Sequence, residues 1–379
     1  MRMSSLGSTA HLWLGLAFTS VGCAYDLDKL YEHGVVDAGM ESSPDSGGPP
    51  PVSSPQLIQS WIGSNPLVDQ ECVTCAEQNC ADVDTACRAD PECLAYTQCV
   101  GAAPNPAGQA ACRVAHSAWI REPATVRDRD LTGPYGQCVF RYKCKVQCAA
   151  NSDLSCVQHF SWPTSPGKVP LHLFVVDAQT QTEVEPDVLV RVCEANDRNC
   201  EVPVSQGTTD KNGLVELELT TTYVGAFTGY LEVTGNKRYP TLLKFSWNIG
   251  QETTYLVGIV NQTQFKLALS DPNLKVDDKR GMLQLRMLGC GGLGTQGVTF
   301  AASTQDAASM TWYIDGIVPK FGALATNDVG SGGIINVPEG LSDVTAFRAT
   351  DMAPVAKATV PVRANWMSVV VFEPLAAGQ

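Results

Sequence analysis

The chain has 379 residues, with 26 Lys and Arg against 39 Asp and Glu, for a net charge of −13. So acidic a surface repels a phosphate backbone and excludes nucleic acid as a partner. The length exceeds one ordinary core and predicts two to three domains, while 33 Gly and 23 Pro supply the turns that short-stranded β folds need.

Residues 1–23 read as an export signal. Arg2 is the one charge ahead of a short apolar run, Leu12 to Val21, followed by Gly22 and Cys23. Such a run is too short to span a bilayer and has the plan of a cleaved signal peptide. Ser20-Val21-Gly22-Cys23 resembles a bacterial lipobox, in which a cysteine after a small residue is lipidated and becomes the new N-terminus. Gly22 and Cys23 match that pattern; Ser20 stands where Leu is usual, and Val21 where Ala or Ser is usual. The resemblance implies a lipid on Cys23. Ordinary cleavage just past Ala24 is the alternative. No later stretch approaches the length of a transmembrane helix, so anchoring rests on the lipid alone.

Residues 24–57 follow as a tether. Glu41 to Pro55 is built from Ser, Pro, Gly and Asp and lacks the apolar content to offset chain ordering. Its prolines favour an extended, semi-stiff spacer.

Residues 58–160 hold Cys72, Cys75, Cys80, Cys87, Cys93, Cys99, Cys112, Cys138, Cys144, Cys148 and Cys156. With Cys23 set aside, 14 of the 15 cysteines remain, and an even, dense set in an exported chain reads as a disulfide framework. Asp90-Pro91-Glu92 reads as an N-cap, a first-turn proline and a first-turn acid. The spacings of Cys72 with Cys75 and of Cys144 with Cys148 place each pair on one helix face. Such neighbours reach across to a facing helix more naturally than to each other. A helical, disulfide-stapled unit is expected.

From Pro170 the texture changes to period-two strands. The first run, residues 168–262, includes Pro170 to Val176, Val184 to Val192, Leu214 to Leu219, Gly229 to Val233, Thr241 to Trp247 and Thr254 to Val260. Asn212-Gly213 supplies the positive φ of a tight hairpin. The second run, residues 276–376, includes Met282 to Leu288, Val298 to Ala301, Met310 to Ile314, Ile334 to Val337, Val344 to Arg348, Ala356 to Val360 and Met367 to Phe372. The fold class is therefore mainly β: two Ig-like antiparallel sandwiches behind a small helical, disulfide-rich domain.

The runs form an internal repeat. Val190 to Cys193, Thr209 to Gly213 and Val215 to Leu217 parallel Val298 to Ala301, Thr326 to Gly330 and Ile334 to Val337. A Val-x-Val strand, a variable loop, Thr-Asp-x-x-Gly and an apolar strand are similar to carboxypeptidase regulatory-like, transthyretin-like domains. The matching positions are Val190, Val192, Thr209, Asp210, Gly213, Val215 and Leu217. Together the two runs cover about half the chain. The resemblance implies an accessory module for binding or spacing, without catalysis of its own.

Constellations for chemistry are sparse. Cys72-x-x-Cys75 with Cys144-x-x-x-Cys148 has zinc-like spacing, but an oxidising compartment pairs thiols instead. His11, His33, His116, His159 and His172 fall in no metal-binding spacing. Intradiol dioxygenases share a sandwich shape and hold iron with paired Tyr and His; no His follows His172, so neither sandwich assembles that set. Gly289 to Gly294 is glycine-rich yet has no helix to receive a phosphate and reads as a tight turn. Asp210-x-Asn212-Gly213 lacks the twelfth-position Glu of a calcium loop. Past the export signal, Trp61, Trp119, Trp162, Trp247, Trp312 and Trp366 read as core before they read as a glycan-stacking face.

No catalytic residue, metal or cofactor is therefore expected. The expected role is that of a non-catalytic cell-envelope lipoprotein acting in adhesion, assembly or ligand binding. Its partners are a membrane, through the N-terminal lipid, and a protein or glycan. A disulfide-rich protease inhibitor, or an accessory subunit of a secreted enzyme, is the competing reading. Cys193 and Cys200 bracket a polar loop and are expected to bond to each other. Cys290 either clamps the distal sandwich to the helical unit or stays a free thiol.

Overall fold

A computed structural model describes residues 70–116 without 104–105, residues 138 and 143–144, and residues 154–378 without 179–183, 222–224, 264–274, 291–293, 316–317 and 328. Cys23, the tether, Trp61, Trp119 and Cys148 lie outside the described residues.

Among the described residues the helical unit has four short helices: α1 (Gln70–Asn79), α2 (Ala81–Ala89), α3 (Pro91–Ala102) and α4 (Pro106–Ala115). Asp90 starts α3, its Oδ1 accepting the N–H groups of Glu92 at 3.0 Å and Cys93 at 3.2 Å. Among the described residues Tyr96 packs with Cys87, Cys93 and Cys112, and the other buried apolar positions are mostly cysteines, with Val73 and Ala76. So small a core needs covalent support. Disulfides join Cys75 to Cys144, Cys80 to Cys138, Cys87 to Cys93 and Cys99 to Cys112, and Cys72 is also disulfide-bonded.

Fifteen strands follow among the described residues. The first repeat holds β1 (Lys168–Asp177), β2 (Leu189–Cys193), β3 (Ser205–Thr208), β4 (Leu214–Thr220), β5 (Tyr230–Thr234), β6 (Thr241–Phe245) and β7 (Thr253–Ile259). The second holds β8 (Gly281–Met287), β9 (Val298–Ala302), β10 (Met310–Asp315), β11 (Val318–Phe321), β12 (Ser331–Val337), β13 (Gly340–Arg348), β14 (Pro354–Val362) and β15 (Met367–Phe372). Val184, expected inside the second strand, makes only a bridge to Val176, and β2 begins at Leu189. Polar β3 and short β11 carry no alternation and were not expected.

Three sheets result: β4-β1-β7, β14-β13-β9, and a nine-stranded sheet in the order β11-β10-β12-β8-β15-β6-β5-β2-β3. The duplication is visible in the pairing. In the first repeat β1 is antiparallel to β4 and parallel to β7; in the second β8 is antiparallel to β12 and parallel to β15. The sandwiches are then fused edge to edge, because β15 also lies parallel to β6, with Met367 opposite Thr241.

That fusion explains why β8, β12 and β15 are buried along their whole length. Alternate side chains of one wall enter different cores. Val369 and Val371 of β15 join Leu171, Val190, Leu231 and Leu243 in the first core, while Val370 and Phe372 join Val298, Phe300 and Val344 in the second.

The repeats agree down to single hydrogen bonds. Thr209 Oγ1 donates to Glu185 O at 2.6 Å and accepts Val188 N–H at 2.9 Å. Thr326 Oγ1 donates to Thr295 O at 2.7 Å and accepts Val298 N–H at 3.0 Å. Gly213 and Gly330 close the two turns at φ +72° and +69°, and a Cβ on them would stand 2.6 Å from Val175 O and 2.3 Å from Met287 O. These bonds equate Val188 with Val298, which moves the alignment of the repeats two residues from the one the sequence suggests. They also show that the Asn212-Gly213 turn is no hairpin. It carries the chain from β3 in one sheet to β4 in another.

Candidate functional site

The variable loop between β2 and β4 differs most between the repeats. In the second repeat it is the β10–β11 pair, with Asp315 opposite Val318. In the first it is the loop 194–204 leading into β3. Cys193 and Cys200 are bonded to each other across it, their Cα atoms 5.2 Å apart. Cys200 sits at φ +53°, a left-handed conformation that the short covalent ring holds in place.

Beneath the ring lies a buried charge cluster. Glu232 of β5 is only 2% exposed. Its Oε1 is paired with Arg191 of β2, and its Oε2 accepts Arg363 Nη1 at 2.7 Å. Arg363 follows β14 in the second repeat, and it also donates to Arg198 O and to Tyr230 Oη, at 2.8 and 2.9 Å. Its guanidinium stands 4.9 Å from the Trp366 ring centre. Tyr230 Oη in turn donates to Asp197 O at 2.5 Å. Burial pushes the Tyr230 hydroxyl up against the opposing pull of Arg363. One repeat's loop is thus held by the other repeat's arginine.

The loop's outer side is a shallow cavity of about 390 Å³ lined by Glu194, Asp197, Glu201, Val202, Pro203 and Val204. Val202 is 77% exposed although its backbone is fixed, its N–H donating to Asp197 Oδ2 at 3.0 Å. That bond and a second from the Glu201 N–H hold the Asp197 carboxyl below its ordinary value. The cavity presents carboxylates and apolar side chains together.

Cys193 Sγ, Cys200 Sγ and a Glu232 oxygen lie within 4.8 Å of one another, a spacing that could suit a metal. The sulfurs are bonded to each other and the carboxylate is taken by two arginines, so the trio offers no free ligand. Cys75 and Cys144, two of the four zinc-spaced cysteines, are likewise joined. Cys290 is bonded to Cys156, 134 residues away, with Phe160 and Ala376 packed around the bridge. His116 faces Glu92 at 3.2 Å, and His172 lies between Glu216 at 3.1 Å and Glu252 at 3.0 Å. Trp247 is buried and stacks on Trp162 at 5.5 Å.

No protein-family model matches the chain, and no curated protein matches it either. Three solved structures show what it is similar to. The Bacillus anthracis TIE protein is similar over 55% of this chain and 34% of its own, at 15% identity and a TM-score of 0.19. A streptococcal ancillary pilin is similar over 56% and 64%, at 12% identity and 0.18. The 3-chlorocatechol 1,2-dioxygenase from Rhodococcus opacus 1CP is similar over 26% and 62%, at 14% identity and 0.20. The chain spans about a third of the first and under two thirds of the other two. TM-scores this low say nothing about function.

Sequence reasoning found the site's frame, Cys193 and Cys200, and missed its supports. Glu232 stands in Tyr230-Leu-Glu-Val233, where alternation marks it as solvent-facing, and nothing near Arg363 or Val202 sets them apart.

Proposed function

We propose that the chain is a non-catalytic, lipid-anchored cell-envelope protein built on carboxypeptidase regulatory-like, transthyretin-like sandwiches, and that it acts in adhesion, assembly or ligand capture. Its partner contacts gather on the loop 194–204. One observation carries this reading: an open cavity whose rim exposes Val202 while the disulfide and the Glu232–Arg363 cluster hold the loop rigid. A loop ordered in advance loses little freedom on binding, so an exposed apolar side chain there counts fully toward affinity. The cavity's acids stand without a histidine, serine or thiol beside them, which favours binding over catalysis. The Thr–Gly turn shared by both repeats supports the domain type.

The test has two arms. Cys23→Ala should move the protein from the membrane fraction to the soluble one, since such an anchor depends on its acyl chains. Recovery of an unmodified N-terminus at Tyr25 by mass spectrometry would overturn the anchor. Val202→Asp should abolish binding of the purified protein to cells that lack it, with the melting temperature unchanged. Undiminished binding would move the contact surface elsewhere.

A further inference from the structure

The described sheets have six outer edges, and five of them are closed. β11 carries Pro319 and exposed Lys320, and β14 carries Pro354, Pro361 and exposed Lys357. On β9 the Phe300 N–H is taken by Tyr313 Oη at 3.0 Å. Helix α4 packs against β7, and β4 carries Glu216 and Glu218. Prolines, charges and covering elements are the devices by which proteins keep strand edges from pairing with other chains.

β3 has none of them. Its sequence is Ser205-Gln206-Gly207-Thr208, and it ends the nine-stranded sheet. Thr209 N–H donates to Val188 O at 2.9 Å, and β3 pairs antiparallel with β2. By the alternation of an antiparallel ladder, the N–H and C=O groups of Gln206 and Thr208 point away from β2. Among the described residues nothing pairs with them. Gln206 and Thr208 expose their side chains, and Gly207 leaves only backbone over Val215. The strand starts directly at the cavity, where Glu194, Asp197 and Glu201 flank Val202 and Val204.

We infer that β3 is a receptor edge: an extended segment of a partner protein, carrying lysine or arginine among apolar residues, adds to it as a tenth strand. Backbone hydrogen bonds to Gln206 and Thr208 would supply affinity. A basic side chain reaching the three carboxylates, and an apolar one meeting Val202 and Val204, would supply direction and selectivity. The partner's charge follows from the cavity, and its extended form follows from the open edge. The inference deepens the binding role proposed above and rests on it.

Synthetic peptides of about eight residues alternating lysine with valine, a length suited to one strand, are the probe. Fluorescence anisotropy with the full chain should show saturable binding. Replacing lysine by glutamate, or N-methylating alternate peptide amides, should each weaken it by roughly tenfold or more. Gln206→Pro should do the same, and the N-methylated peptides give the same answer on unaltered protein should that variant misfold. Equal binding of methylated and unmethylated peptides would overturn the inference. So would a concentration-dependent dimer abolished by Gln206→Pro, which would make a second copy the occupant. Peptides that fail to bind, while Val202→Asp still abolishes cell binding, would discard the open edge and leave the wider binding role standing.

Discussion

The two sandwiches share one frame and differ in what interrupts it. Both anchor the strand after the variable segment, β4 and β12, with a threonine hydroxyl and a left-handed glycine, Thr209 with Gly213 and Thr326 with Gly330. Between the second strand and that turn, the first repeat has a disulfide-closed loop and a bare edge strand, whereas the second has a hairpin that extends the sheet. Each repeat carries one described disulfide within reach of its sheets. Cys193–Cys200 spans 7 residues, and Cys156–Cys290 spans 134. The corresponding strands β6 and β14 also part company: β6 is covered by β15, while β14 stays an edge. The frame thus holds the fold, and the interruptions hold what is particular to each half.

The two disulfides offer the largest contrast. Cys156→Ala with Cys290→Ala should cost about 5 kcal/mol in the chain-entropy account, and Cys193→Ala with Cys200→Ala about 2 kcal/mol. Non-reducing thermal melts measure both, and equal losses would show that loop length does not govern them.

The glycines come next. Gly213→Ala and Gly330→Ala should each destabilise by about 3 to 4 kcal/mol in chemical denaturation, from the positive φ and from overpacking. The loss should be larger at Gly330, where the nearer backbone oxygen stands at 2.3 Å rather than 2.6 Å. A tolerated alanine at either position would break the equivalence of the turns.

Lys244 sharpens the comparison of β6 with β14. Its amine donates to Gly229 O at 2.8 Å, and burial pulls it down to about 8. Between that value and the ordinary lysine range the unfolded chain binds the proton and the folded one does not. Stability from this group therefore rises with pH across the window, and the cost of the buried charge is complete below it. Lys244→Met should lose its advantage over the parent by about 3 kcal/mol from neutral to strongly alkaline pH. Lys357→Met, at an exposed position of β14, should stay within about 0.5 kcal/mol throughout.

Most of the strands were legible because one face of each is apolar, as in Leu214 to Leu219, where buried and exposed positions alternate. The helical unit was legible from its cysteines and from Asp90-Pro91-Glu92. The fused sheet was not. Gln284 and Arg286 read as a solvent face of β8 but are buried, because the wall they belong to has a core on each side. Polarity marks a water-facing strand only when no second layer covers it. β3 escaped notice for the opposite reason: Ser205 to Thr208 buries nothing apolar and owes its strand form to its pairing with β2. At the candidate site, Cys193 and Cys200 were visible as a pair. Glu232 and Arg363 meet across 131 residues, a contact that no local pattern encodes.

The Cys156–Cys290 bond also sets where mechanical tension runs. A pull between the N-terminal side of Cys156 and the chain beyond β15 passes through that bridge, so the strands from β1 to β8 sit in a covalent bypass and cannot be drawn out while the bond holds. Force falls first on β15, whose pairing with β6 and β8 passes it to both sandwiches. Under such a pull the first sandwich can lose β15 as a neighbour yet keeps its length, and only reduction of one disulfide lets its strands be drawn out.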